Sequence, residues 1–70
     1  MNAGLKESRR KLKDIAAAAG RGVHKPELLA AAREETARLT RLADAAAPGS
    51  IKPIRELIAR YEALMNGLLP

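Results

Sequence analysis

Two clusters of glycine and proline divide this 70-residue chain into three segments of helix length. Gly20 and Gly22, followed by Pro26, mark the first break, and the pair Pro48-Gly49 marks the second. The segments lack the alternating runs of β-branched residues that are typical of strands. We therefore predict an all-α fold of three helices, over about residues 3–19, 26–47 and 51–66.

The core available to such a fold is thin. The chain has no cysteine, its only Phe, Trp or Tyr is Tyr61, and alanine supplies much of the apolar content. A chain of this length buries roughly 60% of its unfolded surface. Because disulfides are excluded and the single histidine, His24, cannot form a zinc site alone, regular helix packing or a partner must supply stability. We expect one domain over residues 1–70, stabilised partly by a second chain.

The third segment has the clearest helical periodicity. Ser50 is a suitable N-cap, Pro53 is expected in the first turn, and Gly67 suits the position just after the helix. Large apolar residues follow on one face at steps of 3, 4, 3, 4 and 3, namely Ile51, Ile54, Ile58, Tyr61, Met65 and Leu68, and Leu57 and Leu64 widen this face. This aliphatic stripe contains Ile54, Leu57, Ile58, Tyr61, Leu64, Met65 and Leu68.

The second segment carries a seam of mostly small residues. Pro26 suits the first helical position, and Glu27 suits the positive end of the helix dipole. Because the Pro48-Gly49 pair reverses the chain, helices two and three are predicted to form an antiparallel hairpin, with a basic helix one packed across it. The seam consists of Leu29, Ala32, Thr36, Leu39, Ala43 and Ala46.

The net charge of +5 is concentrated in the first third of the chain. Residues 1–25 carry seven lysines and arginines against two acids, so they account for the whole excess. Three interpretations stay open: contact with nucleic-acid phosphates, steering toward an acidic protein, and a solvated helix face. Without Phe or Trp, recognition by base stacking is disfavoured. The basic patch contains Arg9, Arg10, Lys11, Lys13, Arg21 and Lys25.

Residues 12–20, LKDIAAAAG, resemble the first helix and turn of the helix-turn-helix in LacI-type repressors, over nine residues of the chain. The resemblance implies a DNA-binding regulator. The chain then departs from that family, because Pro26 falls where the interior of a recognition helix is expected, and residues 28–32 lack side chains that read bases. The alternative function is that of a DNA-binding regulator or accessory protein that uses helix one and the Gly-Arg-Gly joint.

The titratable residues do not form a catalytic set. Glu34-Glu35 is the only adjacent acidic pair, and neighbours in a helix point about 100° apart, so a solvated face is expected there. Ser8 is expected to interrupt the apolar stripe of helix one. We predict a non-enzymatic protein without metal or cofactor.

The protein is expected in the cytoplasm, because the chain contains neither a signal peptide nor the roughly 20 apolar residues of a membrane span. The alanine and arginine bias favours a bacterial or phage origin.

The predicted function is that of a small regulatory, adaptor or inhibitor protein acting through helix-mediated protein binding. Two interpretations of the aliphatic stripe stay open. It forms an intramolecular core, or part of it forms a homodimer seam or enters a partner's groove, with Tyr61 and Met65 as anchors.

Overall fold

The computed structural model describes residues 3–22 and 25–69, which form three helices: α1 (Ala3–Gly20), α2 (Lys25–Ala45) and α3 (Pro48–Leu68). This confirms the predicted all-α, three-helix fold. The predictions for His24 concern a residue outside the described ones. Gly22 closes the turn after α1 with a φ of 72°, a left-handed conformation that glycine adopts without steric cost.

α2 and α3 form the predicted antiparallel hairpin and share the largest interface between helices. Leu29 and Arg33, in the first half of α2, lie beside Met65 and Leu69 at the end of α3. Only residues 46 and 47 separate the two helices, and this short joint forces neighbouring, antiparallel packing.

α1 packs against both members of the hairpin, as predicted. Ser8, early in α1, contacts Arg38 late in α2, whereas Ile15 shares a cleft with Ala31. α1 therefore runs antiparallel to α2, and the chain goes up, down and up through the three helices.

The joint between α2 and α3 lies earlier than predicted. α2 ends at Ala45, and α3 begins at Pro48 with Ala47 as its N-cap residue, so Pro48 and Gly49 open α3. The predicted N-cap at Ser50 is wrong: its amide N–H lies in the first turn, 2.8 Å from the Ala47 carbonyl. Proline is favoured at the first helical position because its missing N–H has no helical partner there.

The predicted positions of Pro53 and Gly67 are also wrong. Pro53 is the sixth residue of α3 and removes the hydrogen bond that the Gly49 carbonyl would accept. α3 continues through Gly67 to Leu68, whose side chain is buried in the core. Burial of Leu68 explains why the helix does not end at the glycine, and the Leu69 amide then closes it on the Met65 carbonyl at 3.1 Å.

The core draws on all three helices. Ala32 and Leu39 of α2 are fully buried, and the other seam residues are half-buried, which confirms the predicted seam. Because alanine buries little area, most of the hydrophobic stabilisation comes from the larger side chains. The buried apolar residues are Leu5, Ile15, Ala32, Leu39, Ile54, Leu57, Tyr61 and Leu68.

Candidate functional site

A buried polar network joins the three helices beneath α1. Ser8 of α1 and Glu35 of α2 are 0% and 6% exposed. The Ser8 hydroxyl donates a hydrogen bond to Glu35 Oε2, and the Tyr61 hydroxyl of α3 donates to the backbone carbonyl of Ser8. One residue of α1 is thus bonded to both other helices.

Arg38 and Lys11 supply the positive charge of this network. Arg38 Nη2 lies 2.7 Å from Glu35 Oε2, and Nε lies 3.2 Å from Oε1. Arg38 Nη2 also donates to the Ser8 hydroxyl, and Lys11 Nζ lies 3.6 Å from Glu35 Oε1. A buried carboxylate is tolerated only when it is paired and hydrogen-bonded, and these groups meet both conditions.

The network fixes the protonation states of its members. The hydrogen-bonded Arg38 guanidinium lowers the pKa of Glu35 from 4.5 to about 2, outweighing burial, which favours the neutral acid. The same hydrogen bond raises the pKa of Arg38. Burial, reinforced by the Glu35 charge, raises the pKa of Tyr61 to about 12. At neutral pH the network therefore contains a carboxylate, a guanidinium and a neutral phenol.

The position of Ser8 within the apolar stripe of α1 agrees with the prediction, whereas the position of Glu35 does not. Glu34 is exposed, but the expectation of a solvated face is wrong for Glu35, and Ser8 occupies the buried face of α1 as a polar contact. The spacing of Glu35 in the sequence indicates its buried position: it lies three residues after Ala32 and four before Leu39, which places it beside the seam.

The outer face of α1 is cationic. Lys6, Arg9, Arg10 and Lys13 are exposed and occupy positions i, i+3, i+4 and i+7, which share one side of a helix. Within the described part of the chain, none of the four makes an ion pair at 4.0 Å or less. We call these four residues the cationic face.

The predicted basic patch overlaps the cationic face only in part. Its six residues are all exposed, but Lys11 faces α2 and pairs with Glu35. Arg21 and Lys25 lie at the turn between α1 and α2. Lys6 was not in the predicted patch, although it lies three residues before Arg9 and seven before Lys13, a spacing that places it on the same face.

The aliphatic stripe lies mainly in the core. Tyr61 is fully buried, so its predicted role as a partner anchor is inconsistent with this packing, whereas Met65 is half-buried. Among the described residues, the exposed large hydrophobic side chains are Leu42 and Leu69. The other stripe residues divide into the buried Ile54, Leu57 and Leu68 and the half-buried Ile58 and Leu64.

Clefts separate the helices at the surface. The α1–α2 cleft, of about 490 Å³, presents three cations and three acids, so its formal charge is balanced. The α2–α3 groove, of about 500 Å³, contains the partly exposed Leu29, Met65 and Leu69 between Arg33 and Glu62. A smaller notch, of about 90 Å³, lies between α1 and α3.

No protein-family model, curated protein or solved structure matches this chain. Residues 12–20, which resemble the repressor helix, form the second half of α1, and Pro26 is the second residue of α2.

Over residues 3–22 and 25–69, no group of three or more His, Cys, Asp or Glu side chains is placed to hold a metal ion. None of the helices in these ranges combines the length and apolar character needed to cross a membrane.

We predict that Glu35→Gln lowers the free energy of unfolding by about 2–3 kcal/mol, because it removes the charge that pairs with Arg38 and Lys11 inside the fold. The matched control is Glu34→Gln, which removes the same charge from an exposed neighbour and should change stability by less than about 0.5 kcal/mol. Urea denaturation followed by circular dichroism measures both. Equal losses in the two variants would contradict the network.

The stabilising effect of Glu35 should depend on pH. Its pKa in the folded chain is about 2, below the ordinary value of 4.5, so its contribution is complete above the ordinary value and disappears as pH falls toward 2. The stability difference between wild type and Glu35→Gln should therefore shrink by about 2–3 kcal/mol over this acidic range. A difference that stays constant with pH would show that the carboxylate charge does not stabilise the fold.

Proposed function

We propose that this protein acts by binding rather than catalysis, and that the cationic face of α1 binds the phosphate backbone of duplex nucleic acid. The observation that carries the proposal is the exposure of Lys6, Arg9, Arg10 and Lys13 together on one face, where none of them forms an ion pair with another described residue. These cations do not serve the polar network, which uses Lys11 and Arg38 instead.

Charge density favours nucleic acid over an acidic protein. From Lys6 to Lys13 the helix rises about 10 Å. A duplex carries one negative charge per about 1.7 Å of its axis, so several phosphates fall within the length of the cationic face. A protein partner would need several acidic side chains on one face to offer the same charge density.

The buried aromatic side chain favours a duplex over a single strand. Binding of single strands relies on stacking bases against aromatic side chains. Tyr61 is the only Phe, Trp or Tyr of the chain and is 0% exposed. The proposed contact is therefore electrostatic, made to the backbone, and weakly dependent on base sequence.

A second candidate function keeps the prediction of a regulatory or adaptor protein that binds through its helices. The supporting observation is the α2–α3 groove, where Leu69 is 47% exposed. A second copy of the chain suits this groove. Arg33 lines it from α2 and Glu62 from α3, so the two residues could pair reciprocally across a two-fold axis.

The nucleic-acid proposal predicts duplex binding that weakens steeply with salt. Fluorescence anisotropy with a labelled DNA duplex of mixed sequence should give a slope of log affinity against log salt near −3.6 if all four cations contact phosphates. The variant Arg9→Gln/Arg10→Gln/Lys13→Gln should lower affinity at low salt by at least about 100-fold. Its slope should fall to about −1.

The matched control is Arg41→Gln/Lys52→Gln/Arg55→Gln, which removes two arginines and one lysine from exposed positions outside α1 and outside the α2–α3 groove. It should retain most of the affinity. No wild-type binding at low salt, or an equal loss in both triple variants, would refute a specific role for the cationic face. Tighter binding to polyglutamate than to a duplex of the same total charge would favour the acidic-protein interpretation.

The dimer candidate predicts a charge-swap result in sedimentation velocity. Glu62→Arg should abolish concentration-dependent dimerisation, and Arg33→Glu/Glu62→Arg should restore it, because the double variant rebuilds the reciprocal pairs. A wild type that stays monomeric at high concentration, or a double variant that stays monomeric like Glu62→Arg, would refute this candidate.

A further inference from the structure

The notch between α1 and α3 brings together two arginines from different helices. Its lining contains Arg9 and Arg60, with Glu56, Pro53 and Leu57. Arg9 belongs to the cationic face, and Arg60 is exposed on the adjoining side of α3. The cationic surface thus continues from α1 across the notch.

We propose that the nucleic-acid contact extends onto α3, with one backbone phosphate bound at the α1–α3 notch by Arg9 and Arg60. This inference rests on the proposed function and adds a further binding residue, together with the side of α1 along which the duplex backbone runs.

The chemistry of the notch suits a phosphate group. A guanidinium presents planar, paired N–H donors that match phosphate oxygens, and an anion between two guanidinium groups relieves their mutual repulsion. The notch, with a volume of about 90 Å³, has room for several water molecules and hence for the oxygens of a phosphate group between the two arginines. Glu56 carries a negative charge that repels the anion, but the two arginines outweigh it and leave the notch with one net positive charge.

The opposite side of α1 is less suited to a phosphate backbone. The α1–α2 cleft is lined by Asp14, Glu34 and Glu35 as well as by its cations. Lys11 and Arg38 are already engaged by Glu35, and withdrawing them would leave a buried carboxylate with weaker pairing. The backbone is therefore expected along the α3 side of α1.

The test measures binding of the same labelled DNA duplex to three single variants. Arg60→Gln should weaken binding about 3- to 10-fold at low salt, because Arg9 alone then holds the notch phosphate. Glu56→Gln should strengthen binding several-fold, because it removes the acid beside the phosphate. Arg55→Gln, which changes the same charge as Arg60→Gln elsewhere on α3, is the control and should have little effect.

The gain expected for Glu56→Gln distinguishes a binding role from a structural one, since damage to the fold does not raise affinity. Circular dichroism and urea denaturation should show that each variant folds like the wild type. Equal effects of Arg60→Gln and Arg55→Gln, or weaker binding by Glu56→Gln, would overturn the inference. If the wild type binds the duplex and the variant Arg9→Gln/Arg10→Gln/Lys13→Gln does not, these results refute only the extension onto α3, and the proposed function stands. If the wild type does not bind, the proposed function itself fails.

Discussion

The Glu35 carboxylate sets the position of α1 in this fold. It is buried at the junction of α1 and α2, and it keeps its charge because Arg38, Lys11 and Ser8 surround it. Buried ion pairs often add little net stability compared with apolar contacts, yet they can impose one arrangement on elements that would otherwise slide or rotate. α1 is such an element. Among its described residues, the buried apolar side chains are Leu5 and Ile15, so the polar contacts of Ser8 and Lys11 add to a small apolar contact in selecting the face that turns inward.

The orientation of α1 links the fold to the proposed function. Ser8 and Lys11 on one side are bonded to the hairpin, and Lys6 and Arg10 on the other remain in solvent. Basic residues of the same helix therefore have different roles: Lys11 neutralises a buried acid, while the cationic face is available to an anionic partner. A rotation of α1 by half a turn would bury charge and expose Ile15, so the network and the binding surface depend on each other.

The helices and the hairpin could be predicted from sequence because they depend on local signals, namely glycine and proline positions and apolar periodicity. The polar network could not, because Ser8 and Glu35 lie 27 residues apart and meet only when α1 packs in one register. The start of α3 was misplaced because Ser50 is a good cap in isolation, while Pro48 begins the helix two residues earlier. The accessibility of Tyr61 likewise depended on how α1 covers it, which periodicity within α3 does not specify.

Native-state hydrogen exchange in wild type and Glu35→Gln tests most directly whether the network holds α1 on the hairpin. Amides in the middle of α1, such as Leu12 and Ile15, should exchange about 30-fold faster in the variant, as expected for a loss of about 2 kcal/mol. Amides in the centre of the hairpin, such as Leu39 and Leu57, should lose no more protection than those of α1, because they lose only what the lower free energy of global unfolding takes from every helix. No acceleration in α1, or acceleration confined to the hairpin, would contradict the claim.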